Sequence, residues 1–168
     1  MLIREELAQD IESIYELNKE AFETEAEAKL VNKLREDKAL ILSLVALDKE
    51  KVVGHIAFSL VTIENRYIKV EALGLAPMAV SPVYQRQGIG SKLIEKGLAL
   101  LLAKGYTRVV VLGHPEYYLR FGFEPAKNQG IRWEHDCPEE AFMVKELSAG
   151  AFDNVSGVVK FRPEFNEV

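Results

Sequence analysis

Residues 72–104 read ALGLAPMAVSPVYQRQGIGSKLIEKGLALLLAK, and the fold follows from how they are parsed. The stretch opens as an uncharged strand interrupted by Pro77, passes through a polar turn holding Gly88 and Gly90, and ends as a long apolar helix. Between Gly88 and Lys104 the residues Ile89, Leu93, Ile94, Leu98, Leu100, Leu101 and Leu102 make a broad apolar face, with Gly105 placed as a C-cap. The next apolar segment, Arg108 to Leu112, contains VVVL. Strand, helix and strand in so short a span make a βαβ unit, which predicts parallel neighbours at 70–80 and 108–112. A ligand crevice is expected at their carboxyl ends, facing the helix N-terminus, where free N–H groups and the macrodipole favour an anion. Pro77 lacks a ladder donor and predicts an edge or a bulge where pairing fails.

Working outward, Ala39 to Leu47 and Val52 to Ile63 read as a hairpin closed by Asp48-Lys49-Glu50-Lys51. Before it come a short strand at Leu2 to Arg4, a helix N-capped by Asp10, and a second helix starting near Thr24 and Glu27. After the βαβ unit, 116–121 reads as a short helix, 129–140 as a polar loop, 141–147 as a strand and 155–161 as a last strand closed by Pro163. That last strand either completes the chain's own sheet or pairs with a second copy, so a homodimer stays open. One domain is expected over 1–168, with its core at about 2–147 and a C-terminal extension beyond.

Composition narrows the class. The net charge of −5 argues against a nucleic-acid binder, and the excess is local: 11 acidic and 6 basic residues lie between Met1 and Leu40. An acidic overhang of this kind suits a cationic acceptor. Cys137 stands alone, so no internal disulfide forms and a reducing compartment is the natural reading. No apolar run is long enough to span a membrane, and Met1-Leu2-Ile3-Arg4 is followed at once by Glu5 and Glu6, unlike a signal peptide. A cytoplasmic protein is expected. His135-Asp136-Cys137 lacks the second Cys or the His at i+4 that a metal site needs, so no metal is expected.

The glycine turn fails two phosphate-binding patterns. A P-loop needs a Gly at an offset that is not filled ahead of Lys92, and a dinucleotide fingerprint needs a third Gly where Leu93 stands. What fits is [Q/R]-x-x-G-x-[G/A], filled by Gln85, Gly88 and Gly90, followed downstream by Y-x-x-x-G-F at Tyr118, Gly122 and Phe123. With AVSP before the turn and VVVL after the helix, the chain resembles the GNAT superfamily of N-acetyltransferases over roughly Leu2 to Leu147. LGHPEYYLRFGFEPA and SGVVKFRPEF are similar to a bacterial branch of predicted N-acetyltransferases whose acceptor is poorly specified.

The resemblance implies an α/β fold with a mixed, mostly antiparallel sheet splayed at its centre and helices on both faces. It implies acetyl-CoA as co-substrate and an amine acceptor. Met78, Ala79 and Val80 would pair with the pantetheine arm, Val80 N–H would hold the oxyanion, and Gln85, Arg86, Gln87, Gly88, Ile89, Gly90 and Ser91 would hold the pyrophosphate. Tyr118 takes the general-acid position, since a phenol stays protonated at neutral pH and can serve a departing thiolate. For the base, Glu71, His55 and His114 are open; position at the end of the VVVL strand favours His114. The same motifs also suit a non-catalytic acyl-CoA-binding module, another acyl group, or an oxygen or sulfur acceptor.

Overall fold

The computed structural model describes residues 1–167. The fold is mixed α/β with a mostly antiparallel open sheet, as the sequence predicts. The chain forms two compact units, one built from Met1–Ser59, Ala76–Ala99 and the chain from Pro163, the other from Leu60–Leu75 and Leu100–Arg162.

In the first unit β1 (Leu2–Glu5) pairs antiparallel with β2 (Leu40–Asp48), and β2 with β3 (Lys51–Glu64) across the charged turn, where Asp48 faces Lys51. Because side chains alternate along a strand, β2 and β3 bury opposite faces under different helices. Val45 and Leu47 pack against Ile14 of α1 (Ile11–Ala21) and Val31 of α2 (Ala26–Glu36). The opposite face meets α3 (Ile89–Ala103): a Cβ on Gly54 would lie 2.9 Å from Ile89, and one on Gly97 only 2.7 Å from the Phe58 ring. The missing side chains let helix and strand approach this closely. Thr24 accepts from Ala26 N–H at the start of α2. Asp10, expected to cap α1, does not: its carboxylate accepts from Leu7 N–H at 2.7 Å and pairs with Arg4 at 2.6 Å. A guanidinium within reach outcompetes the helix N–H groups for that side chain.

Pro77 sits inside β4 (Lys69–Val80) after a cis Ala76–Pro77 bond. The β2–β3 ladder carries register shifts around Ile41 and between Ala46 and Leu47.

In the second unit β4 runs parallel to β5 (Arg108–Leu112), with Leu73 facing Val109 and Gly74 facing Val110, the neighbours predicted from the βαβ unit. A short helix α4 (Pro115–Tyr118) and a 3-10 turn (Leu119–Phe121) follow, ended by Gly122 at φ +88°. Of the next strands, β6 (Glu124–Pro125) and β7 (Ile131–Trp133) are very short, and β8 (Phe142–Glu146) pairs antiparallel with both β5 and β6. The last, β9 (Gly157–Lys160), pairs antiparallel with Thr62–Glu64 of β3 and parallel with β7. One expectation changes here and one open alternative closes. Residues 129–140 are not all loop, because β9 supplies the partner that turns 131–133 into strand, and the last strand completes the chain's own sheet. Val61, Ile63, Ala72, Val110, Phe142, Val144 and Val159 make the apolar centre of this unit. Gly105, at φ +95°, ends α3 as predicted, with Tyr106 N–H donating to Leu101 C=O. Among the described residues no helix is long and apolar enough to cross a membrane.

Candidate functional site

The glycine turn lies wholly in the first unit. β4 ends at Val80, Ser81 N–H donates to Val53 C=O at 2.9 Å, and a 3-10 turn over Pro82–Tyr84 leads into Gln85. Arg86 and Gly88 have φ of +64° and +84°, so the chain reverses through left-handed backbone just before α3. A Cβ on Gly88 would meet nothing within 4 Å. The space is open, and glycine serves the backbone angle there. Lys92 N–H donates to Gly88 C=O as the helix begins, so Ile89 and Gly90 present their N–H groups at the N-terminal end without intrahelical acceptors. Gln85 Nε2 donates to Val80 C=O at 3.1 Å and braces the turn against the end of the strand, with its second N–H left over. Arg86 and Gln87 are exposed; Ile89 is buried; Met78, Val80, Gly90 and Ser91 are half-buried; Ala79 is buried. Tyr84 Oη donates to Asp48 at 2.7 Å and ties the turn to the β2–β3 hairpin.

Tyr118 lies in the second unit, just past the end of β5. His114 C=O accepts from Tyr117 N–H and Tyr118 N–H at 3.1 and 3.2 Å, so its backbone winds the short helix that carries the phenol. The Tyr118 ring packs edge-on against Tyr117 and Phe123, with centroids 5.1 and 5.7 Å apart. It also covers Gly113, where a Cβ would come within 2.5 Å of the ring. Burial, with the neighbouring Tyr117 adding to it, pushes the Tyr118 phenol up to about 12, so it keeps its proton at neutral pH. His114 is exposed, and so is Glu71, whose C=O accepts from Arg108 Nη1 at 3.1 Å.

His55, the other base considered, is fully buried. Its surroundings fix its tautomer. Asn18 Nδ2 donates to Ile14 C=O at 3.0 Å and so must also present N–H to His55 Nδ1 at 3.3 Å, leaving the ring proton on Nε2. That N–H meets Ser43 Oγ at 2.8 Å, and Ser43 in turn donates to the Glu6 carboxylate, which Arg35 holds at 2.7 and 3.0 Å. Burial drives His55 down to about 4, so the ring stays neutral. Burial opposes ionisation of Glu6, but hydrogen bonds from Arg35 and Ser43 outweigh it and hold the carboxyl below its usual range. Sequence reasoning missed this chain of Asn18, His55, Ser43, Glu6 and Arg35. Its one visible signal was the presence of polar residues, Ser43 in one strand and His55 and Ser59 in the other, among the apolar residues of the hairpin. Among the described residues no cluster of His, Cys, Asp and Glu is arranged to hold a metal.

Residues 9–123 match the acetyltransferase (GNAT) family. The chain is 42% identical over 167 residues, 99% of both chains, to the uncharacterised N-acetyltransferase YhbS of Escherichia coli strain K12. The chain belongs to the GNAT acetyltransferase family and is an acyltransferase. Its structure is similar to that of Escherichia coli YhbS in complex with CoA, with a TM-score of 0.93 over 98% of this chain and 91% of that one. A GNAT family acetyltransferase of Brucella melitensis in complex with acetyl-CoA is 36% identical, with a TM-score of 0.81 over 98% and 97%.

Proposed function

We propose that the chain moves an acetyl group from acetyl-CoA to a primary amine by direct attack. The observation that carries this reading is that relatives matching 98% of the chain hold CoA and acetyl-CoA. The open left-handed turn at Gly88, ahead of α3, supports it, because a diphosphate can meet backbone N–H groups there without a Cβ in the way. Met78, Ala79 and Val80 pair with the pantetheine amides, and residues 85–91 hold the pyrophosphate. The amine nitrogen attacks the thioester carbonyl carbon, and the oxyanion takes a hydrogen bond from Val80 N–H. As the C–S bond breaks, Tyr118 gives its proton to the thiolate. His114 takes the proton lost by the amine; Glu71 is the alternative base. The acidic N-terminal helices favour a cationic acceptor.

Saturating acetyl-CoA is expected to raise the melting temperature. Gly88→Arg should abolish that rise; its Cβ meets nothing within 4 Å, but the left-handed φ of +84° strains any side chain, so the free protein should still melt cooperatively at a somewhat lower temperature. Absence of any stabilisation by acetyl-CoA overturns the reading. Release of free CoA across a panel of amines then identifies the acceptor.

A further inference from the structure

The second unit holds a cavity of about 260 Å³ that no step of acetyl transfer employs, and its lining includes Ala126, Ile131, Trp133 and Phe142 as an apolar floor. Trp133 and Phe142 are stacked, with an interplanar angle of 12° and centroids 6.3 Å apart, and the His135 ring stands edge-on to Trp133 at 4.9 Å. Around the floor stand Lys127, Arg132, Asp136 and Glu139, in formal charge two cations and two anions. Lys127 is neutralised by Glu139 and Glu140, at 3.6 and 2.8 Å. Arg132 and Asp136 have no ion pair among the described residues, and they lie one residue before and three residues after Trp133. The Trp133 indole Nε1 is buried and has no hydrogen-bond acceptor among the described residues.

We propose that this cavity binds a free α-amino acid with an apolar or aromatic side chain. The side chain lies on the Trp133 and Phe142 floor, the carboxylate answers Arg132, and the ammonium answers Asp136. The balance of lining charge selects a zwitterion over a simple acid or amine. The volume is below that of drug-sized sites, which suits one small molecule. The proposal concerns binding alone and stands whether or not the acetyl-transfer reading does.

Trp133 is the only tryptophan, so its fluorescence reports occupancy directly. L-phenylalanine is titrated into the full chain beside phenylalaninamide, which lacks the carboxylate, and hydrocinnamate, which lacks the ammonium. A saturable change with phenylalanine is expected, weakened about tenfold or more for each truncated probe. Arg132→Gln should weaken phenylalanine by a similar factor and leave phenylalaninamide unaffected, with Asp136→Asn doing the converse for hydrocinnamate. Both residues are exposed and, among the described residues, without an ion pair, so the fold should tolerate the changes. Cys137, the only cysteine and also in the lining, gives an independent readout: bound phenylalanine should slow its alkylation by N-ethylmaleimide. The proposal is overturned if phenylalanine, tested up to millimolar concentration, changes neither readout. It is equally overturned if either truncated probe binds as tightly, or if Arg132→Gln leaves the phenylalanine titration unchanged.

Discussion

At the scale of single residues, Tyr118 and His55 are both aromatic groups whose pKa is moved by burial, in directions that give them opposite capacities. The Tyr118 phenol, at about 12, holds its proton throughout the working range. Tyr118→Phe keeps the ring packing against Phe123 and removes only the hydroxyl. Turnover is expected to fall by roughly 10²- to 10³-fold, with the acetyl-CoA melting shift retained. The wild-type rate profile should show no alkaline limb from this residue below about pH 10. Gly113→Ala tests the same group from beneath: its Cβ would come within 2.5 Å of the ring, so turnover should fall although the hydroxyl remains.

His55 is neutral when folded, and its effect on stability has a definite sign. Its folded pKa of about 4 lies below the ordinary 6.5, so between those values the unfolded chain binds a proton that the native one does not. Stability therefore falls as pH drops from 6.5 towards 4, by roughly 3 kcal/mol from this residue, and is unaffected above 6.5. Denaturant unfolding at a series of pH values checks this, because His55→Gln should flatten that part of the curve. The histidine's identity was legible in the sequence but its burial was not, since that depends on Asn18, Ser43 and Glu6 arriving from three other parts of the chain.

At the scale of elements, what the sequence made legible was local. Apolar spacing along Ile89 to Ala103, glycines at both ends and the VVVL run were enough to place α3 between β4 and β5 and to predict their parallel pairing. β7 was not legible, because three residues in a polar stretch become strand only through a partner 26 positions further on, Ile131 facing Gly157. The loss of the Asp10 cap has the same origin, a competing contact from Arg4. The seat of α3 on β3 makes a prediction of its own. Gly97→Ala gains up to about 1 kcal/mol of helix propensity. It places a methyl 2.7 Å from the Phe58 ring, and such overpacking costs about 1–3 kcal/mol. A lower melting temperature is expected, and Gly97→Val should lower it further.

At the scale of the whole molecule, both units draw on the end of the chain. β9 gives Thr62–Glu64 and β7 their partner in one unit, and Phe165 packs with Leu30, Leu34 and Ala39 in the other. A chain stopped after Asn154 should lose its sharp thermal transition and bind a hydrophobic dye, because Val155 and Val159 leave the apolar centre and the edge of β3 opens. The same dependence orders events in time. During synthesis the ribosome delivers every catalytic residue proposed here well before Gly157–Lys160. Until that segment is available, the nascent polypeptide carries unsatisfied strand edges at β3 and β7, so its most vulnerable interval, when a chaperone would matter most, lies between the appearance of β7 and the docking of β9.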